Sequence, residues 1–229
     1  MKSYPRIKTV GDSALVVEFG EIIDLSVNYQ VYGLAEAIEV ARVRGITGLI
    51  PTYRSLLIEY DALMVSFQEI TMVVEKVLHQ VTEPANVIDE QGGELLEIPV
   101  VYGGKSGPDL VNVAEYAGIS TEEVIEIHTS LVYRVYMLGF LPGFAYLGGM
   151  DNRIACPRLE TPRIRVPAGS VGIAESQTGI YPVESPGGWQ LIGYTPVPLF
   201  NHASEPPVAL HAGGFVRFVS TGLEKIKRI

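Results

Sequence analysis

Gly139-Phe140-Leu141-Pro142-Gly143-Phe144-Ala145-Tyr146-Leu147-Gly148 is the most telling run in this 229-residue chain. Glycine permits positive φ and proline fixes φ, so a run this rich in both specifies backbone shape. The pattern resumes at Pro157-Arg158, Thr161-Pro162-Arg163 and Val166-Pro167-Ala168-Gly169-Ser170-Val171. It closes with Gln177-Thr178-Gly179-Ile180-Tyr181-Pro182 and Ser185-Pro186-Gly187-Gly188-Trp189. Short apolar runs broken by Gly and Pro are an all-β signature, and predict a closed or nearly closed barrel.

Upstream the periodicity changes. Residues 14–19 place Leu15, Val17 and Phe19 on one face, as a strand does. Val27, Val31, Leu34, Ile38 and Ala41 follow at helical spacing, with Asp24 or Ser26 as N-cap and Gly45 as the stop. Two apolar runs, 46–53 and 55–60, precede a capping box at Ser66 and Glu69 and a helical stripe of Phe67, Ile70, Val74, Val77 and Leu78. The order strand, strand, helix, strand, strand, helix predicts a two-layer α+β domain over 1–83. The polar, turn-rich stretch 84–94 reads as a linker, and 95–229 as the mainly β domain. Within it, 95–101 reads as a strand and 109–117 as a helix. A second capping box at Ser120 and Glu123 opens a helix reaching Ser130, and a strand follows over 131–139.

Composition narrows the function. The net charge is −9, which disfavours nucleic acid and anionic membrane as partners. The most apolar stretch, 131–150, holds Arg134, Pro142 and four glycines, which does not suit a transmembrane helix. Residues 1–6 lead into no apolar signal core. A single cysteine, Cys156, forms no internal disulfide and suits a reducing cytoplasm.

Several motifs resolve into ordinary structure. Gly104-Lys105-Ser106 resembles the end of a P-loop, but Pro99 stands where the motif needs glycine. Ala168 spoils a nucleophile elbow around Ser170, which reads as a turn residue. Cys156 reads as a small buried hydrophobe. His79, His128, His202 and His211 are scattered, with no metal-ligand spacing, so no metal is expected. His79 ends a helix, and His202 and His211 read as surface residues. His128 lies at the end of the second capped helix. It reads either as a general base or acid, its ordinary pKa being near neutrality, or as a helix-end histidine bonded to backbone. Arg158, Arg163 and Arg165 form the basic cluster of an acidic chain. They suit a carboxylate or phosphate, or else pair with Asp151, Glu160 or Glu184, the pairing being the reading for Arg165. Phe144, Tyr146, Gln177, Tyr181, Gly187, Gly188 and Trp189 are candidates for substrate binding or an interface, with Trp189 expected at a rim rather than in the core.

The signature run resembles the family that contains allophanate hydrolase subunit 1, the B subunit of the bacterial 5-oxoprolinase and the kinase inhibitor KipI. The resemblance also rests on Gly11-Asp12-Ser13-Ala14-Leu15, Ile50-Pro51-Thr52-Tyr53-Arg54-Ser55-Leu56-Leu57 and Tyr102-Gly103-Gly104 with Gly107-Pro108-Asp109-Leu110. It implies that the barrel is cyclophilin-like. It further implies a subunit of an ATP-dependent amide-cleaving enzyme, first of all one opening 5-oxoproline to glutamate. ATP, with Mg, would act in the assembled complex. The implied partners are a protein of the allophanate hydrolase subunit 2 type and one of the LamB/YcsF type. Allophanate cleavage and inhibition of a sensor histidine kinase are the alternatives. The resemblance supports Arg158 and Arg163 as site residues, and the family has a histidine at the position of His128. Departures are Tyr194 where the family has Arg, Gly214 where it has Asp, and Lys105 where an acidic residue is usual. The first two read either as an ion pair lost as a unit or as a charged site with altered chemistry.

Overall fold

The computed structural model describes residues 4–79 and 95–222. The chain divides into two compact units, Met1–Gly92 and Gly93–Ile229. The stretch that reads as a linker, 84–94, lies outside the described residues.

The first unit runs β1 (Arg6–Val10), β2 (Ala14–Glu18), α1 (Leu25–Ala41), β3 (Ile46–Pro51), β4 (Ser55–Tyr60) and α2 (Phe67–Leu78). Its sheet is antiparallel in the order β1-β2-β4-β3. Register explains the layering. Leu15 pairs with Ile58 and Val17 with Leu56, so all four point to one face. That face is covered by Val31, Leu34 and Ile38 of α1 and by Ile70, Val74 and Val77 of α2. Asp24 caps α1 by accepting from the Ser26 N–H, and the Ser66–Glu69 capping box opens α2. The expected stop at Gly45 is corrected: α1 ends at Ala41, with Arg42 in the left-handed region at φ 45°. Gly45 serves the turn into β3 instead, and its carbonyl accepts from the Asp61 N–H.

The second unit opens with β5 (Leu95–Tyr102), α3 (Leu110–Ala117) and α4 (Thr121–Ser130). The strands β6 (Val132–Leu138), β7 (Ala145–Gly148), β8 (Arg163–Val166) and β9 (Ser170–Ala174) follow. The last are β10 (Gln177–Ile180), β11 (Ser185–Gly187), β12 (Gln190–Tyr194) and β13 (Phe215–Ser220). Seven of these close a barrel in the order β10-β7-β6-β13-β5-β12-β9, sealed by pairing of β10 with β9. β13 lies parallel to β5 and antiparallel to β6. Inside, Ile98, Val100, Tyr133, Val135, Leu147, Ile173, Ile192 and Phe218 form the main core. β8 and β11 pair outside the barrel as a separate two-stranded sheet. No helix among the described residues is long and apolar enough to cross a membrane.

Candidate functional site

A second core in this unit gathers the aromatic residues of the signature run. Phe144, Tyr181 and Trp189 are buried together with Val166, Ala174 and Leu191. The Phe144 ring meets Tyr181 and Trp189 edge-on, each at 5.5 Å, and Tyr146 at 4.9 Å. Such edge-to-face contacts complement ring quadrupoles. Trp189, expected at a rim, is therefore core. Gly187 makes room for the neighbouring Tyr181 ring, since a Cβ there would collide with the Tyr181 hydroxyl. Gly188 lies beside it, half-buried, and its carbonyl accepts from the Leu159 N–H.

Arginines flank this core. Burial raises the Tyr146 phenol, and the charge of Arg158 pulls it back. Burial likewise raises Tyr181, against a hydrogen bond with the Trp189 backbone and the charges of Arg158 and Arg163. Arg158 is exposed and has no ion pair among the described residues. Tyr146 is half-buried and Arg158 exposed, so the arginine charge acts on a phenol that solvent partly reaches. Strand alternation puts Gln177 on the same face of β10 as Gly179, the residue over which Phe144 and Trp189 pack. Phe140 is 64% exposed at φ 70°, and its ring lies edge-on against Phe144. Bulky residues rarely adopt that conformation.

Arg163 opens β8 and is held by Asp109, a residue whose sequence context marks only a helix start. The Arg163 Nη2 donates to Asp109 Oδ1 at 2.6 Å, and its Nη1 to the Trp189 carbonyl at 3.4 Å. Asp109 Oδ2 accepts the Leu191 N–H at 2.6 Å. With both oxygens engaged, Asp109 makes no side-chain cap of α3. Arg165 pairs with Glu184 at 2.6 Å, as expected of it, and Asp151 pairs with Arg153. A cleft of about 310 Å³ adjoins Arg163, bounded by the loop after β5, by β8 and by β12. Lys105, Ser106, Arg165 and Tyr194 also line it. A larger opening of about 760 Å³ in the first unit, walled by Phe19, Phe67 and Leu78, has no Lys or Arg among the described residues of its lining.

His128 lies apart from these groups, in the main barrel core. It has no exposed surface and stacks on Phe218, with ring centroids 4.4 Å apart. Its Nδ1 is 2.7 Å from the Tyr102 hydroxyl and its Nε2 is 2.8 Å from Thr178 Oγ1. Thr178 gives its single hydroxyl proton to the Gly172 carbonyl, so it accepts from Nε2–H. Nδ1 is then the acceptor for the Tyr102 O–H. Burial drives the imidazole pKa down to about 3 and keeps the ring neutral. A general base must reach the proton that it takes. His128, sealed and bonded at both nitrogens, holds Tyr102 and Thr178 in register instead.

Other expectations resolve simply. Cys156 is buried and its thiol is raised by burial, so it is inert. Ser170 is buried at the start of β9. Tyr194 and Gly214 are not remnants of one ion pair. Tyr194 lies opposite Val101 of β5, whereas Phe215, next to Gly214, lies opposite Leu95. The strand between those positions spans about 20 Å. Among the described residues no group of three or more His, Cys, Asp or Glu is placed to hold a metal.

The signature run thus builds a buried aromatic core flanked by arginines, on a fold that known proteins share. Residues 5–210 match the family described as carboxyltransferase domain, subdomain C and D, and the chain belongs to that family. Its relatives are more specific. The chain is 46% identical to the 5-oxoprolinase B subunit of Bacillus subtilis (strain 168), over 93% of this chain and 92% of that one. It is 37% identical to the 5-oxoprolinase B subunit of Escherichia coli O157:H7, over 93% and 95%. Among solved structures it is similar to the conserved uncharacterized protein PH0987 from Pyrococcus horikoshii. There the identity is 48%, the TM-score 0.59, and the coverage 96% of this chain and 100% of that one.

Proposed function

We propose that this chain is the B-type subunit of an ATP-dependent hydrolase that opens the lactam of 5-oxoproline to glutamate. The observation that carries the reading is the identity to the 5-oxoprolinase B subunit over nearly the full length of both chains. In this reading the barrel is cyclophilin-like. The partners are a protein of the allophanate hydrolase subunit 2 type and one of the LamB/YcsF type, in the cytoplasm.

The lactam resists hydrolysis because amide resonance and the five-membered ring favour the closed form. ATP, with Mg, would phosphorylate the amide oxygen and leave as ADP; water would then add to the activated carbon, the C–N bond would break with a proton going to the ring nitrogen, and the acyl phosphate so formed would be hydrolysed to glutamate and phosphate. This chain supplies cations and donors around the reacting group. Arg158 and Arg163 are the cations. Tyr146 and Gln177 are half-buried donors, whereas Tyr181 is too deeply buried for that role. With His128 enclosed, the base is assigned to a partner protein.

The test is reconstitution. The chain is co-expressed with both partner-type proteins, and glutamate formed from 5-oxoproline and ATP is measured with each component omitted in turn. The reading expects turnover only from the full set. Turnover undiminished without this chain, or none from an assembled complex, overturns it.

A further inference from the structure

We propose that the cleft between the loop after β5, β8 and β12 is a phosphate-binding subsite. This deepens the function proposed above and rests on it for the source of the phosphoryl group, either the nucleotide tail or an acyl phosphate.

The loop is rigidly seated. Gly103 and Gly104 both take positive φ, at 70° and 53°. The Gly103 N–H donates to the Ile192 carbonyl at 3.0 Å, and the Ser106 and Gly107 N–H groups fold back on the Gly103 carbonyl. A Cβ at Gly107 would collide with the Ile192 carbonyl oxygen, so only glycine lets the loop lie this close to β12. The residues between, Lys105 and Ser106, line the cleft. This is no P-loop, because β5 continues to Tyr102 and α3 starts only at Leu110. The pair nevertheless faces two further cations.

Arg163 and Arg165 are two residues apart on β8 and so share a face. Arg163 is oriented from behind by buried Asp109, while its Nε has no bond among the described residues. Arg165 gives Nε to Glu184, and its two terminal nitrogens have no bond among the described residues. Lys105 is exposed and has no ion pair among the described residues. Among the described residues no Asp or Glu side chain lines the cleft, whereas Ser106 and Tyr194 add hydroxyls. Cations on two walls with hydroxyls between them suit a tetrahedral, multiply charged oxyanion better than a planar carboxylate. A volume of about 310 Å³ takes a phosphoryl group with a small substituent, at the lower end of ligand-pocket sizes.

The experiment is calorimetric titration of the purified full chain with pyrophosphate and, separately, with acetyl phosphate. Saturable binding of at least one is expected, and which one binds identifies the source. Lys105→Gln and Arg165→Gln, both at exposed positions, are expected to weaken binding about tenfold each. Arg153→Gln removes the same charge elsewhere and is expected to leave binding unchanged. No saturable binding by the intact chain, or equal weakening by all three variants, overturns the subsite. Intact binding with failed reconstitution overturns the oxoprolinase function instead, so the two failures are distinct.

Discussion

Asp109 reaches across 54 residues of sequence to hold Arg163 at 2.6 Å, while its second oxygen takes the Leu191 N–H from β12. One buried carboxylate thus ties the start of α3 to β8 and to the barrel. Asp109→Ala removes both bonds and leaves a half-buried guanidinium unpaired. The expected loss is about 3 kcal/mol, read from urea denaturation. Asp109→Asn, which keeps the Leu191 bond, is expected to lose less.

The folded state carries a pH signature from His128. Its pKa falls from an ordinary 6.5 to about 3 on burial, so between these values the unfolded chain binds the extra proton. The stabilisation is fully present above pH 6.5 and is lost as pH falls toward 3. The slope approaches about 1.4 kcal/mol per pH unit for one proton. Unfolding free energies from urea titrations should be flat above about pH 7 and show that slope between about pH 6 and about pH 4.5 in the natural chain. It should disappear in His128→Gln; persistence there would assign it to other groups.

The aromatic core tolerates no added methyl at Gly187. Gly187→Ala forces its Cβ against the buried Tyr181 ring, with Cζ at 2.8 Å. The expected cost is about 1–3 kcal/mol from overpacking. The chain has a single tryptophan, so a shifted Trp189 emission spectrum reports the disturbance directly.

Arg158 separates function from stability. It is exposed, so Arg158→Ala should change stability by less than about 0.5 kcal/mol. Glutamate formation by the reconstituted complex should fall about tenfold or more. Unchanged turnover would remove Arg158 from the site.

The capping boxes offer a local test. Ser66→Ala removes the acceptor for the Glu69 N–H at the start of α2 and should cost the first unit about 1 kcal/mol. Thermal unfolding of the variant should show a lowered transition.

What the sequence made legible was local. Ser66 with Glu69, Ser120 with Glu123, and Asp24 each declare a helix start within three residues. Alternation around Leu15 and Leu56 likewise declares strands. The helix end at Arg42 was hidden because Gly45 offered a better left-handed residue, which the chain uses for the next turn. The site was legible as a set of residues but not as an arrangement. Phe144, Tyr146, Tyr181, Trp189, Arg158 and Arg163 do converge. Their depths follow from long-range packing that local pattern does not encode, as for Trp189 over Gly179 and Tyr181 over Gly187. Asp109 was invisible as the Arg163 partner because only the closed barrel brings the loop after β5 to β8. His128 was ambiguous for the same reason, since its two partners come from β5 and β10.

The position of β13 has a consequence for synthesis. This strand sits between β5 and β6, the first two strands of its unit, yet it is the last of the barrel strands to leave the ribosome. Until residue 220 has emerged, the nascent barrel keeps two open edges that invite pairing with other chains. The first unit carries its own core and has no such wait. The two units therefore differ in what completes them: the second cannot close its barrel without its last, six-residue strand. Premature termination only a few codons short of that strand would release an adhesive, half-closed sheet rather than a slightly shortened protein.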